Sequence, residues 1–484
     1  MHLIVTCKIA VVTSDAAIIA VFDTYDRFEK ASGAKINLDK CQGLWLGSWQ
    51  HRLDAPIAIR WTSLKIKVLG VFIGNGNLDE ANWRPRLDAV ENCLSSWRSR
   101  SLSFQGKALV VNALVLSRIW YVASLIHMPP WVLKKLNTLC FKFFWSGKKD
   151  LVARAVVCQP LDSAGLSVVH TEFKTHGLLV QWVRRFVTSP NAWVSLMTFW
   201  YFDRFGASAI EVFSSPFDFE PSLLPPFYRS LLLAWRVVGG FYSDSLNSLA
   251  IGSHTDASHS VVSLTCKFVY NFILSSKAVS PHCIEKFRPV FGDLHWPVTW
   301  KQLTFLPLDH KVTDLNWKVC HGVLYTAARL SSFAYNYPTA CFCGHLLESS
   351  DHLFFDCPLA RSGIDWIQSL LYVASPLAPP ISLRHVFFGF SSDELLCVPR
   401  IFVYLLQVCK YMVWTQRNDH RFRSVRPSAI NLIASIKARV KFYLPLFFKR
   451  FRSRRRRRYF TRQRGGNDTI CTVSDSTLDF SPSF

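Results

Sequence analysis

The stretch CFCGHLLESSDHLFFDCP, residues 341–358, reads as a small metal-binding module. Cys341 and Cys343 stand on a tight knuckle closed by Gly344. Eight residues separate Cys343 from His352, and four separate His352 from Cys357. In HLFFDC the imidazole and the thiol can approach one ion from the start of a helix. Three thiolates and one imidazole make a closed tetrahedral zinc site, a structural and not a catalytic arrangement. Ligation of this kind contributes ~10–16 kcal/mol of apparent binding energy, enough to hold a module this small. His345 is a spare ligand. A single residue parts the first two cysteines where two are commoner, so one ligand of the set is open to replacement. The competing reading is three buried cysteines beside an unrelated histidine.

On both sides of the module the pattern is mainly helical. Residues 300–330 carry helix spacing, and a further helical block runs over 392–448. In the stretch 78–150, NWRPRLDAVENCLSSWRSR places Leu87, Val90, Leu94 and Trp97 at three- and four-residue steps. The opposite face carries Arg84, Arg86, Arg98 and Arg100. A longer helix is expected from Phe104 to Ile126, ended by Pro129 and Pro130. A third, WVLKKLNTLCFKFFW, buries Leu133, Leu136, Cys140 and Phe144. These three basic-faced helices read equally as a cradle for a duplex and as a bundle with solvated charge. Nearer the start, Asp15–Ala31 reads as a helix with Gly33 as its stop. Leu3–Val12, GLWLGSW at 43–49 and KVLGVFIG at 67–74 read as strands. Residues 151–300 alternate short helical stretches with Pro- and Ser-rich connections and show no motif.

Charge bounds the function. The chain has 484 residues, enough for about three domains of ~150 residues each. Half of them are hydrophobic, so disorder of the whole chain is excluded. Lys and Arg outnumber Asp and Glu by 56 to 33, a net +23 that self-repels unless an anionic partner neutralises it. The basic character peaks at Lys449, Arg450, Arg452, Arg454, Arg455, Arg456, Arg457 and Arg458, among aromatics suited to stacking on bases. This run also reads as a nuclear-import signal or a solvated tail. No stretch offers the ~20 clean apolar residues a membrane span needs, since Arg118 and Lys410 interrupt the best two. The 14 cysteines form no secreted framework, which implies an intracellular protein. A two-metal polymerase needs converging carboxylates. The chain has no Asp-Asp, and Asp79–Glu80 lies between Gly76 and a helix start. No catalytic residue is assigned and no catalytic magnesium is expected.

Several strings in order resemble the reverse transcriptase of LINE-type (non-LTR) retrotransposons. FEKASGAKINLDKCQGLWLG (28–47) resembles the segment after the family's catalytic strand, and KVLGVFIG (67–74) the palm segment that follows. LSFQGKALVVNALVLSRIWYVASLIHMP (102–129) and FFWSGKKDLVARAVVCQPLDSAGLSVV (143–169) resemble the thumb and what succeeds it. The 341–358 stretch resembles the family's C-terminal zinc module. The family's Tyr/Phe-Ala-Asp-Asp motif would fall near Val5–Ile9, which reads VTCKI. The resemblance thus implies a copy truncated at the palm active site, retaining contacts to RNA or DNA with little sequence preference.

The expected fold class is α+β, predominantly α-helical: a partial palm remnant, a helical thumb and a helical C-terminal region with a zinc knuckle-like module. The expected divisions are palm 1–77, thumb 78–150, a helical connection 151–300, a helical region 301–448 holding 341–357, and a basic then disordered tail 449–484. Candidate nucleic-acid contacts are the arginines named above, Lys107 and Lys449. Zinc is the expected cofactor. The function expected is that of a nucleic-acid-binding polymerase remnant. The alternatives are an active reverse transcriptase whose start is misplaced or whose aspartates come from another chain, and a product that does not fold stably.

Overall fold

A computed structural model describes residues 9–189, 191–252, 258–303, 309–333, 338–449, 460, 468–474, 477–482 and 484. The chain is mostly helical, with a few short strands. It forms two compact units. One gathers Met1–Ser96, Val115–Leu139 and Thr175–Leu264, and the other Trp97–Leu114, Cys140–Lys174 and Thr265–Phe484.

In the first unit, the helix Asp15–Ser32 begins where the Ser14 hydroxyl accepts from the Ala17 N–H at 3.1 Å. It stops at Gly33, which is left-handed at φ 70°. Both ends match the expectation and follow from capping chemistry. The strand expected over Leu3–Val12 lies mostly outside the described residues, and residues 9–12 are not in a strand. GLWLGSW is only partly a strand. Gln42–Leu44 pairs in parallel with Arg60–Thr62, and Gly47–Trp49 turns into a 3-10 helix. KVLGVFIG is not one strand but most of a hairpin, Lys65–Val68 against Val71–Gly74. Leu69 and Gly70 both take positive φ, the two-residue turn that matches strand twist. The helix Asp79–Arg98 buries Trp83, Leu87, Val90 and Leu94, and the Trp83 indole donates to the His127 carbonyl at 3.1 Å. The three-stranded sheet Gly240–Ser243, Ser248–Ile251 and His259–Ser260 lies in the region that the sequence left without a motif.

The expected continuous helix from Phe104 to Ile126 is instead three pieces: Phe104–Leu109, a π-helical segment Val110–Val115, and Ser117–Ala123. The widened turn re-aims side chains that a regular helix would keep in register. Pro130–Phe144 matches the third expected helix, with Leu136, Cys140 and Phe144 buried and Val132 taking the deep position expected of Leu133. No single described helix is long and apolar enough to cross a membrane. One bent pair, Phe104–Val115 with Ser117–Ala123, passes by length and composition, and its Val115, Ile119 and Val122 are fully buried.

The second unit is organised around the helix Arg400–Arg423. Ile401 to Lys410 are buried without interruption, so this segment is enclosed on every side. It packs against His310–Cys320, Pro358–Ala374 and Ala429–Phe448. Gly363 permits one of these crossings, because a Cβ there would meet the Cys409 sulfur at 2.7 Å. The block expected over 392–448 is broken before Arg400 by Pro399 and after Arg423 by Ser424, which is left-handed at φ 57°. Buried polar ties brace the unit as well. Asp309, 1% exposed, accepts from both forks of Arg439 at 2.6 Å and from the Tyr404 hydroxyl at 2.8 Å. Asn316 donates to the Gln407 carbonyl at 3.1 Å.

Lys410 is the exception in this core. It is 4% exposed, beside Cys320 and Cys409, and burial pushes its ammonium down to about 8. The unfolded chain therefore holds this proton more tightly than the folded one between about pH 8 and 10.4. The penalty is complete below about pH 8 and is relieved as pH rises through that window. Lys410→Met should thus stabilise the protein at pH 7 by about 2 kcal/mol in urea unfolding. The advantage should shrink toward pH 10. A destabilised variant with an unchanged pH profile would contradict this account.

Candidate metal centre

Cys341, Cys343, His352 and Cys357 converge. Each offers one ligand atom, and these four atoms lie within 4.8 Å of one another. Cys343 Sγ stands 3.2 Å from His352 Nε2. A tetrahedral zinc with ordinary Zn–S and Zn–N lengths needs ligand atoms about 3.5–3.8 Å apart, so the donor set fits that ion in number and chemistry and lies close to its spacing.

The local chain explains the convergence. The Gly344 N–H returns to the Cys341 carbonyl at 3.0 Å, and the Cys341 N–H reaches the His345 carbonyl at 2.9 Å. Gly344 takes φ +93°, a conformation L side chains rarely adopt, which lets one residue close the turn between two ligands. The one-residue spacing is thereby accommodated. His352–Asp356 is a π-helical turn, and the Cys357 N–H closes it on the His352 carbonyl at 2.7 Å. The helix Pro358–Ala374 starts directly after the last ligand. His345, the spare candidate, is not one of the four. Its ring stacks on His352 with centroids 4.1 Å apart, and its Nδ1 faces the Leu347 backbone.

Protonation follows from the crowding. A hydrogen bond to Cys357 and then burial push the Cys341 thiol up, while accepting that bond pulls Cys357 down. Cys341 thus holds its proton more tightly, and Cys357 gives its own up more readily. Burial, and then His345, lower His352, which keeps its imidazole neutral and its lone pair available to a cation.

Sequence reading missed what holds the knuckle in place. Glu348 lies between the ligands, is 1% exposed, and accepts from Arg417 through both oxygens at 2.5–3.1 Å. It also accepts the Ala327 N–H at 3.0 Å. Arg421 donates to the carbonyls of Pro338 and Ala340 and stands 3.5 Å from Glu348. An acid inside the ligand stretch was the only signal. Nothing local points to partners about seventy positions on.

Residues 267–363 match the family described as zinc-binding in reverse transcriptase. All four converging ligands fall inside that span. A transposon TX1 uncharacterized 149 kDa protein of Xenopus laevis is 30% identical over 229 residues, 44% of this chain and 17% of that protein. A putative ribonuclease H protein of Arabidopsis thaliana is 32% identical over 87 residues, 17% of this chain and 14% of that protein. The chain is related to the reverse transcriptases of retrotransposons. It matches less than a fifth of the length of either relative.

The basic residues of this retrotransposon-related chain are spread over both units. Arg84 is exposed and paired with Glu80 at 2.8 Å. Arg86 is half-buried and donates to the Gly70 carbonyl at 2.6 Å. Arg98 is exposed, and Arg100 lies over the Trp97 ring at 4.3 Å. Lys107 donates to the Phe144 carbonyl and the Ser146 hydroxyl, and burial lowers its ammonium. Lys449 is exposed; Arg450, Arg452 and Arg454 to Arg458 lie outside the described residues.

Purified chain should carry about one zinc, and Cys357→Ser should lose it. Arg417→Ala should keep the ligands but weaken zinc about 10–100-fold, as loss of a supporting contact does. Bound zinc displaces thiol protons, so affinity should fall as pH drops from about 8 to 6. Metal content unaffected by Cys357→Ser would remove the site.

Proposed function

We propose that this chain binds RNA or DNA with little sequence preference, that zinc braces its C-terminal unit, and that its own residues do not polymerise. The match to a reverse-transcriptase zinc-binding family across the segment where four ligands converge carries this reading. The net charge of +23 supports an anionic partner. Motif order supports assigning residues 1–77 to a palm-related segment and 78–150 to a thumb-related one.

Cys341, Cys343, His352 and Cys357 would hold the ion. Bound zinc would supply a cross-link between the knuckle and the start of the Pro358–Ala374 helix. A closed four-ligand set offers no open position to a substrate, so the role is structural. Polymerisation needs carboxylates converging on divalent ions. The adjacent acid pairs here are differently employed. Glu80 holds Arg84, and Glu394 holds Arg384 and His385. Arg98 and Arg100 are among the exposed described cations of the thumb-related segment and are open to phosphate.

If about five phosphates are neutralised, the binding constant should fall with roughly the fourth to fifth power of salt. Replacing Arg98 and Arg100 by Ala should reduce that slope by about one to two without changing base preference. Primer extension with Mg²⁺ or Mn²⁺ should be absent. Extension by the purified chain would overturn the non-catalytic reading, and salt-insensitive binding would overturn the phosphate-contact reading.

A further inference from the structure

The end of the helix Arg400–Arg423 presents an unusual surface. Phe422 is 70% exposed and Val425 54% exposed, between Arg421, Arg423 and Arg426. These residues are not on a loose end. Ser424 in the left-handed conformation closes the helix, with its N–H on the His420 carbonyl at 3.1 Å and the Val425 N–H on Asp419 at 3.2 Å. The same turn is fastened to the metal knuckle. The Phe342 ring meets His420 edge-on at 5.9 Å, and Arg421 holds the carbonyls of Pro338 and Ala340.

The charge there is one-sided. Asp419 pairs with Arg423 at 3.0 Å, and the sequence has no further Asp or Glu until Asp468. The knuckle segment 338–347 has none either. Arg426 is exposed and makes no ion pair among the described residues. An exposed phenyl ring on a closed helix end, beside the exposed Arg423 and an Arg426 that has no ion pair among the described residues, fits a ligand with flat apolar faces and regular negative charge.

We propose that His420 to Arg426 form a docking ridge for single-stranded nucleic acid, with Phe422 stacking on a base and Arg423 and Arg426 meeting phosphates. It rests on the nucleic-acid-binding reading above and names a surface that the sequence did not single out. Single strands are the fitting form because a phenyl face can stack only on a base not already enclosed by its neighbours. A duplex offers this ridge phosphates alone.

The test uses the full zinc-loaded chain and fluorescence anisotropy. The probes are labelled oligo(dT) and oligo(U) of about 12 nucleotides, near the span such surfaces cover, and a DNA duplex of matching length. Phe422→Ala should weaken single-strand binding about 5–50-fold, with duplex binding changed by less than about twofold and zinc content unchanged. Phe422→Trp should restore it. Arg426→Ala should lower the single-strand salt slope by about 0.7. If the wild type binds oligonucleotides and Phe422→Ala binds them equally well, the ridge is wrong while the broader reading stands. Equal losses on single strand and duplex would also refute it. If the wild type binds no probe, both fall together.

Discussion

Glu348 and Arg417 form a pair that water does not reach, their side chains 1% and 3% exposed. A lone carboxylate at that depth would be costly, so the contact is bidentate and accompanied by the Ala327 N–H. Its effect is positional. Glu348 sits between the second and third metal ligands, and Arg417 is on the helix around which the second unit is built. The pair therefore fixes the knuckle to that helix independently of any metal. Metal ligation then has a prepared frame to close.

The same helix changes character along its length. From Ile401 to Lys410 it is enclosed by mainly apolar neighbours with a few buried hydrogen bonds, whereas from Arg417 to Arg423 its polar groups hold the knuckle and face solvent. Apolar burial, worth about 1.5–3 kcal/mol for each large side chain, holds the first part. Charged hydrogen bonds specify what the second part holds. At Lys410 the two regimes conflict, since an ammonium lies within the buried stretch and burial lowers it. Asp309 with Arg439 and Tyr404 repeats the Glu348 solution elsewhere in the unit.

Part of this was legible in the sequence because it rests on local chemistry. The helix Asp15–Ser32 starts at a serine cap and ends at a glycine, both visible in one window. The buried stripe of Asp79–Arg98 follows helical spacing. Other elements depend on distant packing. KVLGVFIG alternates like a strand, and only the paired residues Lys65–Val68 and Val71–Gly74 show that Leu69 and Gly70 turn it back. The π-helical segment Val110–Val115 has no signature in residue type, because an extra residue in a turn is stabilised by its surroundings.

The sequence by itself supplied the candidate ligands Cys341, Cys343, His352 and Cys357, with His345 as a spare that only the structure set aside. It also determined the net charge and the mainly helical character, which follow from composition and periodicity. The tertiary structure decided which basic residues remain open to a partner. Lys107 and Arg86 are spent on backbone carbonyls, whereas Phe422, Arg423 and Arg426 are left outward beside the knuckle. Exposure depends on what the rest of the chain places over a side chain, and no window of sequence contains that information.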